Sequence, residues 1–183
     1  MQEFENKILF KTAMEAKEFV KILVELSEVF LKSEGGIYNI EVSYSANDEN
    51  KLELRDITSM IFMEDKLRMT LAFSFDDEML KYIFKKYSEG LEIEENEYES
   101  CIEETAGDMI NIVLGRALGM FVKEEILFHL SPPIVINKAQ SIARYKDTEY
   151  YTVNITSEYG VLSILMIIPG EGFKSRIITG GTK

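Results

Sequence analysis

Leu67-Arg68-Met69-Thr70-Leu71-Ala72-Phe73-Ser74-Phe75-Asp76-Asp77-Glu78-Met79-Leu80 changes its hydrophobic period midway, and that change decides the fold class. Up to Phe75 the period is two: Leu67, Met69, Leu71, Phe73 and Phe75 point one way, and Arg68, Thr70 and Ser74 the other. Strict alternation predicts a strand in a sheet with one covered face. Asp76 or Asp77 can then cap a helix carrying Met79, Leu80, Ile83, Phe84 and Tyr87 inward at helical spacing until Gly90 stops it.

Upstream, residues from about 12 to 33 read as a first helix. Ala16, Phe19, Val20, Leu23, Leu26 and Phe30 recur at helical spacing, and Gly35-Gly36 ends the pattern. Tyr38, Ile40, Val42 and Tyr44 then alternate as a strand, followed by turn chemistry at Asn47-Asp48-Glu49-Asn50. Leu52 and Leu54 open a second strand-like segment ahead of the quoted stretch.

Downstream, an acid-rich connection carries Glu92, Glu94, Glu95, Glu97 and Glu99. Asn96 and Glu99 have capping-box spacing and predict the start of a third helix, running to about Lys123. The rest returns to strand: Ile126 to Leu130, Ile134 to Ile136 after Pro132-Pro133, then Tyr151, Val153 and Ile155. A turn from Ser157 to Gly160 leads into Val161–Ile168, apolar except for Ser163 and therefore expected at the centre of the sheet. The order helix, three strands, two helices and more strands predicts an α+β fold, a largely antiparallel sheet with long helices packed on it.

Composition bounds the rest. With 183 residues and 46% hydrophobic content, one domain with a substantial core is expected. We place its core at about residues 10–169 and a flexible tail at 170–183. Acids outnumber bases 32 to 20, and the net charge of −12 argues against gripping nucleic acid or anionic lipid, while suiting a partner that presents a cation. The single Cys101 closes no intrachain disulfide and supplies no thiolate zinc site. The first residues are acidic, unlike a secretory leader, and no apolar run approaches the roughly 18 residues of a membrane helix. A cytoplasmic protein without membrane insertion is expected.

On a helical wheel, Tyr98, Ile102, Thr105, Ala106, Met109, Ile110, Val113, Ala117 and Met120 of the third helix fill the arc for the sheet. Glu104, Asp108, Asn111 and Gly115, at spacings of 4, 3 and 4, fall on the opposite side, with Gly107 beside Asn111. Gly107 and Gly115 each cost about 1 kcal/mol relative to Ala in a helix interior, and Asn is also a poor helix former. Small residues beside a carboxylate and an amide leave a flat patch that another protein can approach closely. The alternative is a solvated face: acids early in a helix favour its dipole, and helix glycines often only permit close packing.

Gly107-Asp108-Met109-Ile110-Asn111-Ile112-Val113-Leu114-Gly115 resembles the signature helix of CheX-type phosphatases, in the CheX/CheC/FliY group. That helix usually reads Gly-Glu-x-x-Asn-Met-Ile-x-Gly, with Asp or Ser four residues before the Glu. Phe73-Ser74-Phe75 and its following helix resemble the family's preceding strand-to-helix step. Leu130-Ser131-Pro132-Pro133-Ile134-Val135-Ile136 is similar to its Leu-Pro-x-Val-Ile strand, and Tyr151–Thr156 with Val161–Ile168 to its closing hairpin. The resemblance spans about residues 10 to 169.

The resemblance implies a phosphatase acting on a phosphorylated CheY-like receiver domain, whose aspartyl phosphate sits beside a Mg²⁺ held by the receiver. It implies that Asn111 orients the attacking water and Asp108 docks the receiver's lysine, with Glu104, Gly107 and Gly115 on the partner-binding surface. No cofactor or metal is expected on this chain itself, and a homodimer is compatible with the family. Two departures stand out: Asp108 replaces the usual Glu, and Glu104 occupies the Asp or Ser position. The first helix offers Glu18-Phe19-Val20-Lys21 with no Asn, so a single-site, CheX-like protein is expected. If the shorter Asp108 abolishes turnover, the same fold serves as a non-catalytic receiver-binding or flagellar-switch-like module.

Other candidates read as structure. His129, the only histidine, lies between Phe128 and Leu130 with no nucleophile motif. Ile177 to Lys183 lacks P-loop spacing, and Gly170-Glu171-Gly172 reads as loop. The acids from Glu92 to Glu99 read as a solvated linker, and Cys101 as packing at the edge of the apolar arc.

Overall fold

The alternating run forms β4 (Met69–Phe75) in the computed structural model, paired antiparallel with β3 (Ile57–Glu64) on one side and β9 (Gly160–Pro169) on the other. The structure describes residues 13–45, 51–64, 68–121, 129–143 and 148–169; Leu67, the turn expected at Asn47 to Asn50, the end of the third helix expected at Lys123, the strand residues expected from Ile126 to Phe128 and residues 170–183 lie outside them. β9 pairs in turn with β8 (Thr148–Ser157), and β8 with the outer strand β1 (Glu41–Tyr44). At the opposite edge, β5 (His129–Leu130) and β6 (Ile134–Asn137) both pair with β3. Every pairing among the described residues is antiparallel, and Val161–Ile168 does lie inside the sheet, between β8 and β4.

Three helices cover one face: α1 (Ala13–Ser33), α2 (Asp77–Tyr87) and α3 (Tyr98–Phe121). Phe19, Leu23 and Phe30 of α1, Met79 and Ile83 of α2, and Met109, Ile110 and Val113 of α3 meet Ile61, Leu71, Phe73 and Ile164 of the sheet. All are buried, as their spacing predicts. Gly36 turns the chain after α1 with φ of 65°, which lets the Ile37 N–H donate to the Leu31 carbonyl at 2.8 Å.

The first strand is shorter than its alternation predicts. It begins at Glu41, leaving Tyr38 73% and Tyr44 61% exposed, because β1 is an outer strand with only β8 beside it among the described residues. The second segment divides. β2 (Lys51–Glu53) leaves the main sheet to pair with β7 (Ser141–Ala143), and β3 begins separately at Ile57.

That division corrects the expectation of one covered face on β4. Ala72 and Ser74, on the side predicted open, are both 0% exposed. The β2–β7 ribbon closes over this side, where Leu52, Met60, Ala72, Tyr150 and Leu165 form a second apolar cluster with Ile142 against it. Beyond this cluster lies a polar seam. The Arg55 backbone N–H donates to Ser74 Oγ, its Nε to Ser163 Oγ and its guanidinium to Asp76 Oδ1, each at 2.7 Å. Ser163, the one polar residue of its strand, donates onward to Asn154 Oδ1 at 2.7 Å.

Asp76 sits at the backbone cap position of α2, but its carboxylate makes no capping bond. Arg55 and the Val161 N–H, the latter at 2.8 Å, engage it instead, and Asp56 accepts from the Asp77 N–H at 3.0 Å. Gly160 completes the join: at φ of 123° a Cβ there would lie 2.9 Å from the Asp76 Cβ. Tyr82 of α2 stacks on Tyr159 of the β8–β9 turn, ring centroids 3.6 Å apart. These contacts hold the start of α2 to the hairpin.

One hydroxyl in the core is left over. Ser59 Oγ is buried in β3 with no hydrogen-bond partner among the described residues. Burying such a group costs about 1–3 kcal/mol, so Ser59→Ala is expected to raise unfolding stability by about 1 kcal/mol in a urea titration. A lower midpoint would show that the hydroxyl has a partner.

Candidate functional site

α3 supplies the candidate site. Its first helical hydrogen bond runs from the Cys101 N–H to the Glu97 carbonyl at 2.9 Å, so Glu97 holds the cap position. The Asn96–Glu99 capping box is therefore out of register by one residue. Thr105, Ala106, Met109, Ile110, Val113, Leu114 and Ala117 are buried beneath the helix, whereas Tyr98 is 44% and Met120 61% exposed at its two ends. Those two were expected against the sheet; a long helix overruns the layer that covers its middle. Cys101 is half-buried against the core, as expected, and His129 is exposed in β5, paired in register with Glu64.

Glu104, Asp108, Asn111 and Gly115 are all exposed, and their spacing puts them on one face. Among the described residues, no ion pair or side-chain hydrogen bond engages Glu104, Asp108 or Asn111. An unpaired carboxylate and an uncommitted amide, one turn apart, are free to meet a partner's cation and a water molecule.

Gly107 departs from the expected open patch. It is buried, and a Cβ there would lie 3.5 Å from the Cβ of Pro133. Glu103 beside it accepts a hydrogen bond from the Asn137 side chain of β6. The segment from Pro133 to Asn137 thus walls one side of the stripe. Gly115, by contrast, faces open space, with nothing within 4 Å of its would-be Cβ. Gly115→Ala is therefore expected to stabilise the fold by about 1 kcal/mol, read as a raised thermal midpoint; no gain would mean that the site is not open.

One residue that the wheel of α2 had turned inward is partly open instead. Tyr87 is 38% exposed, because α2 ends there and its last turn overhangs the core. Partial burial raises its ionisation above the usual tyrosine range, and the nearby carboxylates of Asp108 and Glu34 raise it further. The one sequence signal for its exposure was its place just before the Ser88-Glu89-Gly90 stop.

Among the described residues, no group of three or more His, Cys, Asp or Glu side chains is placed to hold a metal ion, and no helix is long and apolar enough to cross a membrane.

Residues 57–156 match the chemotaxis phosphatase CheX family. The chain belongs to that family. No curated protein matches it at a significant level of sequence similarity. Its fold is shared with several solved CheX-like structures. A chemotaxis protein from Desulfovibrio vulgaris Hildenborough is 15% identical, with TM-score 0.67 over 81% of this chain and 95% of its own. A CheC-like superfamily protein from Shewanella sp. PV-4 is 19% identical, with TM-score 0.64 over 84% and 98%. CheX in the CheX–CheY–BeF3–Mg²⁺ complex from Borrelia burgdorferi is 14% identical, with TM-score 0.64 over 84% and 98%. At these identities the likeness is one of fold, and the α+β, largely antiparallel CheX-like architecture expected from the sequence is the one observed. The matched span of the CheX family runs from β3 to β8 and contains the whole of α3.

Proposed function

We propose that this CheX-family chain dephosphorylates a phosphorylated CheY-like receiver domain, with Asn111 orienting the attacking water and Asp108 docking the receiver's lysine. The observation that carries the reading is the exposed, uncommitted pair Asp108 and Asn111 on α3, inside the span matching the family. The Borrelia complex, in which a protein of the same fold is bound to CheY, supports the class of partner.

The chemistry asked of this chain is small. An acyl phosphate is already reactive, so acceleration comes from holding water in line with phosphorus. The water oxygen bonds to phosphorus, the P–O bond to the aspartyl carbonyl carbon's oxygen breaks, and the receiver's carboxylate leaves as inorganic phosphate is released. The proton given up by the water passes to phosphate or solvent. An amide suits this task because it both accepts from and donates to water and does not titrate near neutral pH. The phosphoryl charge is balanced on the receiver's side, by its lysine and its Mg²⁺, so no metal is required of this chain. Glu104 and Gly115 lie on the same approach, and Gly107 shapes it through Pro133. A cytoplasmic location follows from such a partner.

The direct test is phosphate release from a phosphorylated CheY-type receiver of the same organism, with and without this protein. Accelerated release at substoichiometric protein supports the reading, and an unchanged decay rate rejects it. The shorter Asp108 favours a second reading, a receiver-binding module without turnover. Saturable binding to the phosphorylated receiver with unaccelerated decay would establish that one instead.

A further inference from the structure

A groove of about 370 Å³ lies between the first turns of α1 and the β1–β8 edge of the sheet. Its floor follows from strand alternation. Val153 of β8 pairs with Ile164 and Tyr151 with Met166, both buried beneath the helices, so Val153 and Tyr151 point to the helix-covered face. Tyr44 of β1 is the partner of Val153 and points the same way. Over this floor α1 brings Val20, which is buried, with Lys17 and Lys21 one turn apart at the rim. β1 and β8 stand at the other end of the sheet from β3, on which α3 packs, so the groove is separate from the α3 stripe.

Two cations together here run against the composition. Acids outnumber bases 32 to 20, yet Lys17 and Lys21 are exposed and make no ion pair among the described residues. Glu18 and Glu25 of the same helix come further round it, on the side away from Val20. On the strand side, Glu149 accepts from the Tyr151 hydroxyl at 2.8 Å. Burial and that bond push the Tyr151 phenol up to about 12, so it stays a neutral donor committed to Glu149. Ammonium groups at the rim of an apolar floor suit a ligand with one acidic group on a flat apolar body. The body displaces water from Val20, Val153 and the tyrosine rings, and the acid meets the ammoniums. The volume falls in the lower range of small-molecule pockets and suits a fused-ring compound better than a partner's helix, which is about 10 Å across.

We propose that this groove binds a small aromatic carboxylate, with Lys17 and Lys21 taking the acid and Val20, Val153, Tyr44 and Tyr151 taking the ring. It is a second site, and it stands or falls independently of the receiver reading of α3. The net charge of −12 repels an anion from the molecule as a whole, so binding depends on the local lysine pair. A neutral aromatic of the same shape meets only the apolar floor, and selectivity for the acid comes from the rim.

The test titrates the full chain with naphthoate and with its neutral twin naphthylmethanol, read by calorimetry. Saturable one-to-one binding of naphthoate is expected, weakening as salt is raised. The double variant Lys17→Gln, Lys21→Gln is expected to bind naphthoate about tenfold more weakly and naphthylmethanol within about twofold of the parent. Tyr44→Ala, at an exposed position, is expected to weaken both probes about threefold. Thermal unfolding of each variant shows that the comparison is made on folded protein. Naphthoate bound equally by the parent and the double-glutamine variant overturns the proposal. So does equal affinity of the parent for the two probes, or the lack of saturable naphthoate binding. Two other occupants are distinguished by the same titration. Binding that appears only in a Phe4→Ser variant assigns the groove to this chain's own Glu3-Phe4-Glu5, and binding that appears only on dilution assigns it to a second copy. Either result also overturns the small-molecule site.

Discussion

Asn111→Ala is expected to cut receiver-phosphate release by about 10²-fold while leaving the protein as stable as before or slightly more so. The size follows from the role, since a misplaced reacting atom or a lost oriented hydrogen-bonding group costs about that much. The unchanged stability follows from the structure. Asn111 is exposed, and no hydrogen bond engages its side chain among the described residues, so the fold loses nothing when the amide is removed. Alanine is also the better helix former by several tenths of a kcal/mol. KM should change little, because the amide acts on water more than on docking. Stopped-flow phosphate release and a thermal melt on the same preparation check both halves. Full activity in the variant would sink the assignment of Asn111.

The second large effect is expected at Asp108. Asp108→Ala should raise KM for the phosphorylated receiver about tenfold, more than it lowers kcat, because a charge-assisted contact to a lysine is worth about that factor. The loss should shrink at high salt, where the parent's own advantage is screened. Asp108→Glu tests reach. The family's longer side chain restores one methylene, and activity should rise if closeness of approach limits turnover. Activity equal to the parent's would show that Asp reaches the lysine already. The position is exposed and has no ion pair or side-chain hydrogen bond among the described residues, so neither change is expected to disturb folding by more than a few tenths of a kcal/mol.

The carboxylate of Asp76 shows how a local rule can be overruled. Its position before Met79 and Leu80 marks a helix start, and its backbone does occupy the cap of α2. The side chain is drawn instead to Arg55 and to the Val161 N–H, a residue 85 positions away in sequence. Nothing in the spacing around Asp76 announces those partners. The same holds for Gly107. Its place beside Asn111 was plain from the wheel, but its burial under Pro133 depends on where the chain returns after α3.

What the amino-acid sequence determined by itself was periodic and local. Alternation in Met69–Phe75 and in Tyr151–Ile155, the apolar run in β9, the helical spacing of all three helices and the one-faced placement of Glu104, Asp108, Asn111 and Gly115 come from residues within a few positions of one another. The signature on α3, and with it the family, is legible for the same reason. Tertiary structure decided what those faces meet. It closed the second side of β4 with a ribbon joining Lys51–Glu53 to Ser141–Ala143, and it turned Ser74 and Ser163 into anchors for Arg55. It also left Tyr87 38% exposed at the end of α2, its ring against Phe30 of α1. Periodicity says which residues share a face, because the backbone repeat sets side-chain direction. It carries no record of which distant segment covers that face, since such cover is a contact between residues far apart in the chain.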